Sequence, residues 1–277
     1  MIIISSIEEL RRARAVLTTP IGLVPTMGFL HRGHLALVQA ARAQNPSVAA
    51  TIFVNPAQFG PNEDFASYPR DLDRDLRLLE EAGTDLVFTP SVDEIYPPGF
   101  STYVDVGPIS ERLEGKSRPG HFRGVATVVT KLFNLVQPQR AYFGQKDGQQ
   151  CVVVKKLVGD LGLPIEVVVV PTVREPDGLA LSSRNVYLTP VERIAARVLS
   201  SSLLSARAAY QAGERSGAAL RRLVLSQIER EPLAKLDFVS VADTFTLEDV
   251  DHLTRPVMVS LAVRIGRARL IDNEILG

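Results

Sequence analysis

Apolar runs and amphipathic stretches alternate along the first part of the chain. Ile21–Pro25 (IGLVP) is a short apolar run that predicts a strand, and Leu35–Gln44 (LALVQAARAQ) has helical periodicity. Ser47–Asn55 (SVAATIFVN) reads as a second strand, and Asp71–Gly83 (DLDRDLRLLEEAG) as an amphipathic helix stopped by its glycine. Asp85–Pro90 (DLVFTP) is a further short strand. Strand, helix, strand, helix, strand predicts a parallel sheet with right-handed crossovers. After a loop-rich stretch, Ser91–Gly124, the pattern resumes with a mostly buried helix over Val125–Gln137 and a strand over Arg140–Gly144. Ile165–Val173 (IEVVVVPTV) is continuously apolar, as expected for the middle of a parallel sheet.

The character changes near Arg174. Arg174–Asn185 (REPDGLALSSRN) is a loop, followed by helices near Pro190–Ala212 and Ser216–Arg230 and by the strand-like runs KLDFVSVAD, RPVMVSLAVRI and ARLIDNEIL. The expected fold class is therefore α/β: a Rossmann-like parallel sheet with helices on both faces over residues 1–174, then a smaller α+β domain over residues 175–277.

Composition narrows the function. The 277 residues carry zero net charge with 45% apolar and 22% charged residues, an ordinary balance for a globular protein. No basic excess points to nucleic acid or to an anionic membrane surface, and no apolar run approaches a membrane span. Cys151 is the only cysteine, so no intrachain disulfide forms, and it reads as a small buried apolar residue rather than a nucleophile. The N-terminal MIIISSIEEL is too short and lacks the basic flank of a signal segment, so a cytoplasmic location is expected.

Candidate chemistry gathers where strands end. TMGFLHRGH, Thr26 to His34, runs from the first strand into the first helix. That edge of an open α/β sheet is where ligands bind, and a helix start favours phosphate. His31 and His34, at i and i+3, share a face of the first helical turn, and Gly33 lets a ligand approach the backbone. Together the two imidazoles suit a polyphosphate; the plain alternative is a pair of capping or surface histidines. A zinc site lacks a third ligand at supporting spacing.

YFGQKDGQQ, Tyr142 to Gln150, also follows a strand. Gly144 permits a tight turn, Lys146 supplies a compact cation for phosphate, and Asp147 suits a ribose hydroxyl or Mg²⁺. Gln149 and Gln150 are neutral donor–acceptors; a solvated turn with one ion pair is the alternative. LSSRN, Leu181 to Asn185, offers two hydroxyls and a guanidinium as an anion clamp, or is an ordinary capping loop. IFVNPAQFGPNED carries Gln58, and SRPGHFRG gathers Arg118, His121 and Arg123 in a glycine-rich loop; His252 looks incidental. The composite is a nucleoside triphosphate held by a histidine pair, a lysine and a Ser-Ser-Arg loop.

PTMGFLHRGH, FVNPAQF, SRPGHFRGV, FGQKD, QQ and LSSRN, in order from about Ile21 to Leu188, closely resemble the pantothenate synthetase (pantoate–β-alanine ligase) family. HRGH alone resembles the His-x-Gly-His signature of the wider nucleotidylyltransferase superfamily. The resemblance implies condensation of pantoate with β-alanine at the expense of ATP, which becomes AMP and pyrophosphate. It implies an ATP site of Thr26, Met27, Gly28, Phe29, Leu30, His31, Arg32, Gly33 and His34, with His34 as proton donor. Gly144, Gln145, Lys146, Asp147, Val173, Leu181, Ser182, Ser183 and Arg184 would complete it, with His31, Lys146 and Arg184 also catalytic. Gln58 and Gln150 would hold pantoate, and Gln58 would also meet β-alanine. Mg²⁺ and a homodimer are further implications. Two departures stand out: the family usually has Glu where Gln145 stands and an aromatic where Gly148 stands, and Gly148 is expected to loosen its loop.

The expected chemistry is attack of the pantoate carboxylate on the α-phosphorus, then of the β-alanine amine on the resulting pantoyl adenylate. No protein nucleophile is required. A cover over the adenylate would exclude water, and the Pro61–Tyr68 stretch and the C-terminal domain are the candidates. Asp71, Asp73 and Asp75 fit a solvated helix face better than a Mg²⁺ site. Two other readings stay open: a nucleotidylyltransferase that leaves the nucleotide on its product, and a non-catalytic nucleotide-binding module.

Overall fold

The computed structural model describes residues 1–61 and 63–277. The chain runs β1 (Ile2–Ile4), α1 (Ile7–Ala15), β2 (Ile21–Thr26), α2 (Arg32–Gln44), β3 (Ser47–Ile52), α3 (Leu72–Glu81), β4 (Leu86–Phe88) and α4 (Val92–Ile95). It continues through α5 (Glu114–Ser117), α6 (His121–Val136), β5 (Arg140–Gly144), α7 (Gly148–Asp160) and β6 (Glu166–Val170). The last elements are α8 (Pro190–Gln211), α9 (Gly217–Ile228), β7 (Lys235–Asp243), β8 (Val257–Ile265) and β9 (Ala268–Leu276). Short 3₁₀ turns include Pro56–Gln58, Gln145–Asp147 and Ser183–Tyr187.

Two compact units divide this chain. The first holds residues 1–111, 118–144 and 153–170; the second holds 112–117, 145–152 and 171–277. The last segment of the first unit ends at residue 170. Two earlier segments, 112–117 and 145–152, pack with the second unit, so the chain passes between the units several times.

The first unit is a six-stranded parallel sheet flanked by helices, in the order β1-β4-β3-β2-β5-β6. β2 and β3 are almost wholly buried, which is why their sequences are apolar runs rather than alternations. Val24, Leu37, Val38, Val48, Leu79, Val87 and Tyr142 form a core cluster from strands and helices. Helix starts are set locally: Ser6 and Glu9 make a reciprocal capping box on α1, and the Asp71 carboxylate accepts from the Arg74 amide to cap α3.

From β2 the chain moves through β3 to β4 on one side, then returns to β5 on the other. The strand order therefore reverses between β2 and β5, and a ligand crevice opens beyond the carboxyl ends at such a reversal. Thr26 ends β2 and Gly144 ends β5, so TMGFLHRGH and FGQKD each start at this edge.

Two expectations need correction. The apolar run ending in VVVV forms β6, which lies at an edge of the sheet and not in its middle. Residues 167–170 are all half-buried, with Val168 and Val170 packed against the core, so both faces of this edge strand are partly covered and valine is favoured at successive positions. The buried helix starts at His121 rather than Val125, so His121 and Arg123 stand on its first turn and not in a loop. Gly120, in the left-handed region at φ 82°, makes the turn into it.

The second unit contains the antiparallel sheet β7-β8-β9 with α8 and α9. Leu199, Leu203, Leu220 and Val224 of the helices share a core with Val239, Val257, Val259, Leu261 and Leu276 of the strands. Among the described residues no helix is long and apolar enough to cross a membrane.

One close approach in the first unit is testable. A Cβ on Gly124 of α6 would lie 2.1 Å from the Ala57 carbonyl oxygen and 2.7 Å from the Gln58 nitrogen. Gly124→Ala must push away the turn that carries Gln58, and should cost about 1–3 kcal/mol in urea unfolding. An unchanged midpoint would contradict this packing.

Candidate active site

The loop after β2 is built by long-range anchoring. Gly28 (φ 81°) and Phe29 (φ 50°) both adopt left-handed backbone, which turns the chain sharply toward α2. The amides of Phe29 and Leu30 point at one carboxylate and donate to Asp75 of α3 at 2.6 and 2.7 Å. Arg74 closes the clamp: it donates to the Leu30 carbonyl at 2.9 Å and lies over the Phe29 ring. Asp75 is 1% exposed, so it is no part of a solvated face; Asp71 caps α3, and Asp73 is exposed. Burial pushes the Asp75 carboxyl up, against the opposing pull of the two amide hydrogen bonds. Thr26, at the end of β2, donates its hydroxyl to the Thr51 carbonyl at 2.7 Å and accepts from the Gly28 amide at 3.2 Å.

His31 is the N-cap of α2, and His34 is the third residue of the helix. His31 Nδ1 accepts from the Gly33 amide at 3.1 Å, and His34 Nδ1 accepts from the His31 amide at 3.3 Å. The rings stack with centroids 4.0 Å apart. A neutral imidazole that accepts through Nδ1 carries its proton on Nε2. Both rings therefore hold the same tautomer, with an Nε2–H donor on the side away from the helix backbone. The capping reading and the ligand reading are thus one arrangement: the cap sets the tautomer that a phosphate oxygen needs. Arg32 is exposed, while the Leu30 side chain is fully buried, so only backbone at residue 30 faces the loop.

Gln58 belongs to the same unit. Its side-chain nitrogen meets Met27 Sδ at 3.1 Å, and its side-chain oxygen accepts from Asn55 at 3.0 Å. Asn55 is buried and also bonded to the Gly124 carbonyl and the Tyr96 hydroxyl. The Pro61–Tyr68 candidate cover includes Asn62, which lies outside the described residues. Its described part is packed through Phe65 and Tyr68 on Phe59.

In the second unit, β9 fastens two of the expected site segments with consecutive residues. Asn273 donates to the carbonyls of Gln145 and Lys146 at 2.8 and 3.0 Å, and accepts from the Gln145 side chain at 2.6 Å. Asp272, 2% exposed, takes a two-pronged ion pair from Arg174 at 2.6 and 3.0 Å. Arg174 follows Val173, whose carbonyl accepts from the Leu181 amide at 3.0 Å, and Arg174 itself bridges Ala180. Residues 173–181 form a closed loop that leads into Ser182, the cap of the Ser183–Tyr187 turn. Lys146 sits 3.3 Å from Asp147. Gln149 is buried and spent on structure, bonding the Glu114 amide and the Arg112 carbonyl, whereas Gln150 is half-exposed.

Gly148 does not loosen this turn. A Cβ there would lie 2.6 Å from Met258 Sδ and 2.9 Å from the Asn273 amide nitrogen. The missing side chain makes room for Asn273, and Asn273 pins the turn. Gln145 fits the same solution, because its amide donates to Asn273 Oδ1, which a glutamate could not do. Neither Asp75 nor the Asp272–Asn273 pair belongs to a local motif. The only trace in the sequence is a buried-strand pattern interrupted by two polar residues, LIDNEI.

Comparison with known proteins places the chain in one family. The family model for pantoate-beta-alanine ligase matches residues 2–275. The pantothenate synthetase of Roseiflexus castenholzii is 59% identical over 276 residues, covering 100% of this chain and 99% of the relative. The crystal structure of pantothenate synthetase from Thermus thermophilus superposes with a TM-score of 0.94 at 53% identity, covering 99% of each chain. A pantoate-beta-alanine ligase from Francisella tularensis, crystallised with beta-gamma ATP and beta-alanine, gives a TM-score of 0.80 at 36% identity, covering 99% of this chain and 97% of that one.

Two outcomes check the anchors. Because burial raises the Asp75 carboxyl in the folded state, the folded chain binds this proton more tightly than the unfolded one. Its contribution to stability is full below the ordinary aspartate pKa and is lost as pH rises through the raised value. Asp75→Asn should remove that slope from urea unfolding. It should also speed hydrogen exchange at the Phe29 and Leu30 amides by about tenfold, since one amide oxygen cannot replace two carboxylate oxygens. Unchanged exchange would contradict the clamp. At the contact between Gly148 of α7 and Asn273 of β9, Gly148→Ala should cost about 1–3 kcal/mol, and Asn273→Ala should absorb part of that cost in the double variant. Strict additivity would mean the two do not touch.

Proposed function

The chain belongs to the pantoate-beta-alanine ligase family, and on that premise we propose how its residues divide the work. It is an ATP-dependent carbon–nitrogen ligase that joins pantoate to β-alanine, giving pantothenate, AMP and pyrophosphate. The reaction runs through pantoyl adenylate. The pantoate carboxylate attacks the α-phosphorus and pyrophosphate leaves. The β-alanine amine then attacks the acyl carbon, and AMP leaves with the bonding pair on its phosphate oxygen.

The observation that carries this reading is the pair of back-bonded imidazoles at the head of α2. Their Nε2–H donors and the start of α2 favour a polyphosphate. His34, whose Nδ1 is taken up by the His31 amide, donates a hydrogen bond from Nε2 to the departing pyrophosphate and keeps that proton, and His31 shares the charge. Lys146 and Arg184, with Ser182 and Ser183, act on ATP phosphates as well. Gly144, Gln145, Asp147, Val173 and Leu181 complete the nucleotide's surroundings, together with Thr26 to Gly33. Gln58 and Gln150 receive pantoate, and Gln58 also meets β-alanine. Orientation supplies much of the rate: two bound anions held in line correspond to effective molarities on the order of 10⁵ M or more.

ATP enters as its Mg²⁺ complex. Among the described residues no group of three or more His, Cys, Asp or Glu side chains could hold a metal by itself. The Mg²⁺ that accompanies ATP would neutralise phosphate charge, and Asp147, beside Lys146 in the expected site, is the carboxylate that would help to hold it. The homodimer and the cytoplasmic location implied by the family resemblance belong to the same proposal.

The test is exchange of labelled pyrophosphate into ATP with pantoate present and β-alanine absent, with products read by mass spectrometry. Wild-type protein should exchange only when pantoate is added, and should release free AMP and pantothenate once β-alanine follows. His34→Ala and Lys146→Ala should each lose about 10²–10³ in exchange rate while keeping their fold. Near-normal exchange in either variant would remove it from the mechanism. A nucleotidyl product retained on the acid would favour a nucleotidylyltransferase instead.

A further inference from the structure

Arg118 to Gly124 take no part in the phosphate chemistry above, yet within the first unit they build a hydrogen-bonded chain that ends on Gln58. Arg118 donates from Nε and Nη2 to the two oxygens of Glu63, each at 2.6 Å. Its Nη1 lies 3.1 Å from His121 Nε2, and its Nη2 reaches the Gln58 main-chain oxygen at 3.3 Å. His121 Nδ1 stands 2.8 Å from that same oxygen. The chemistry of the partners fixes every proton. A guanidinium only donates, so His121 Nε2 accepts; a carbonyl only accepts, so Nδ1 donates. His121 is therefore a neutral imidazole with its proton on Nδ1, the tautomer opposite to that of His31 and His34.

The cationic partner keeps it so. An imidazolium would set an Nε2–H against an Arg118 N–H and forfeit the bond. Arg118 stays in place through Glu63: burial opposes that carboxylate, but the hydrogen bonds and charge of Arg118 outweigh burial and hold its carboxyl below the usual range. The far end of Gln58 is held independently by Asn55 and Met27. The residue is thus gripped by its main chain from α6 and by its side chain from the loops after β2 and β3. The contact of Gly124 with Ala57 leaves the turn no room to slide.

We propose that His121 is a positioning residue for the ligase reaction: as a neutral Nδ1–H donor held by the Arg118–Glu63 pair, it fixes the main chain of Gln58 so that the side chain meets pantoate and β-alanine. This rests on the substrate role given to Gln58 above. The role requires no contact between His121 and a substrate. Asparagine in its place can present an N–H donor at nearly the position of Nδ1, whereas alanine cannot.

The experiment combines kinetics with nitrogen NMR on the full-length protein. His121→Ala should raise KM for pantoate or β-alanine about tenfold, the worth of one well-placed hydrogen bond, and leave KM for ATP within about twofold. His121→Asn should return those values to within about threefold of wild type. Wild-type protein labelled with ¹⁵N-histidine should show His121 protonated at Nδ1. Equal KM increases for all three substrates, unchanged KM values, no rescue by asparagine, or an Nε2-protonated His121 would each overturn the proposal. If His121→Ala fails to fold, the wild-type spectrum and His121→Asn kinetics still decide it. Gln58→Ala separates the two layers. If it leaves pantoate and β-alanine binding intact, the substrate role of Gln58 falls and the positioning role falls with it, whatever the tautomer. If it weakens them while His121 proves Nε2-protonated, only the positioning role falls.

Discussion

Two backbone amides, donated to the Nδ1 atoms of His31 and His34, determine what the head of α2 offers to a ligand. Without those bonds each imidazole would be free to choose its tautomer, and an Nε2 lone pair facing a phosphate oxygen would repel it. With them, both rings present donors. The arrangement depends in turn on the approach of the chain: Gly28 and Phe29 in left-handed backbone, then two amides collected by Asp75. Asp75 is buried, at a cost to its charged form, for the sake of that loop. The fold gives up stability at this point to hold a loop in one shape.

The second unit solves a similar problem by different means. Lys146 and the Ser182–Arg184 turn stand on separate loops, but neighbouring residues of β9 tie down the main chain at Lys146 and, through Arg174, the 173–181 loop that leads into that turn. A strand in a long antiparallel pairing is a rigid base, since β9 is bonded to β8 along its whole length. Both units therefore place charged or polar side chains on short segments whose main chain is already anchored. Such segments lose little entropy when a ligand arrives, and donors fixed in advance stabilise developing charge without reorganisation.

Much of this was legible in the sequence because burial leaves a local imprint. The apolar runs of β2 and β3, the amphipathic α3 and the three C-terminal strands each carry their own period. The histidine pair was visible as a pair, with capping as its plain alternative, but not that one arrangement would do both. What the sequence hid was of two kinds. Partners far apart in the chain, such as Asp75 with Phe29 and Asp272 with Arg174, leave no local spacing to read. Ambiguous runs were the other kind. Glycines and basic residues around His121 resemble a loop until α6 is packed, and the run of valines in β6 looks central because both faces of this edge strand are partly covered. The segment Gly148–Asp160 is helical despite Val152, Val153 and Val154, whose branching disfavours helix, because tertiary packing of its buried face decides. The effect of Gly148 was hidden for the same reason as Asp75: only the presence of Asn273 and Met258 gives it meaning.

The most direct measurement of the central claim is a long-range ¹H–¹⁵N spectrum of histidine-labelled protein, in which the four histidines give a small, assignable set. It is recorded without and with a non-hydrolysable ATP analogue. The account predicts that His31 and His34 are both protonated at Nε2 before any ligand is added, and that adding the analogue shifts their Nε2 signals while Nδ1 stays an acceptor. Nδ1-protonated rings, or Nε2 signals indifferent to the nucleotide, would contradict it.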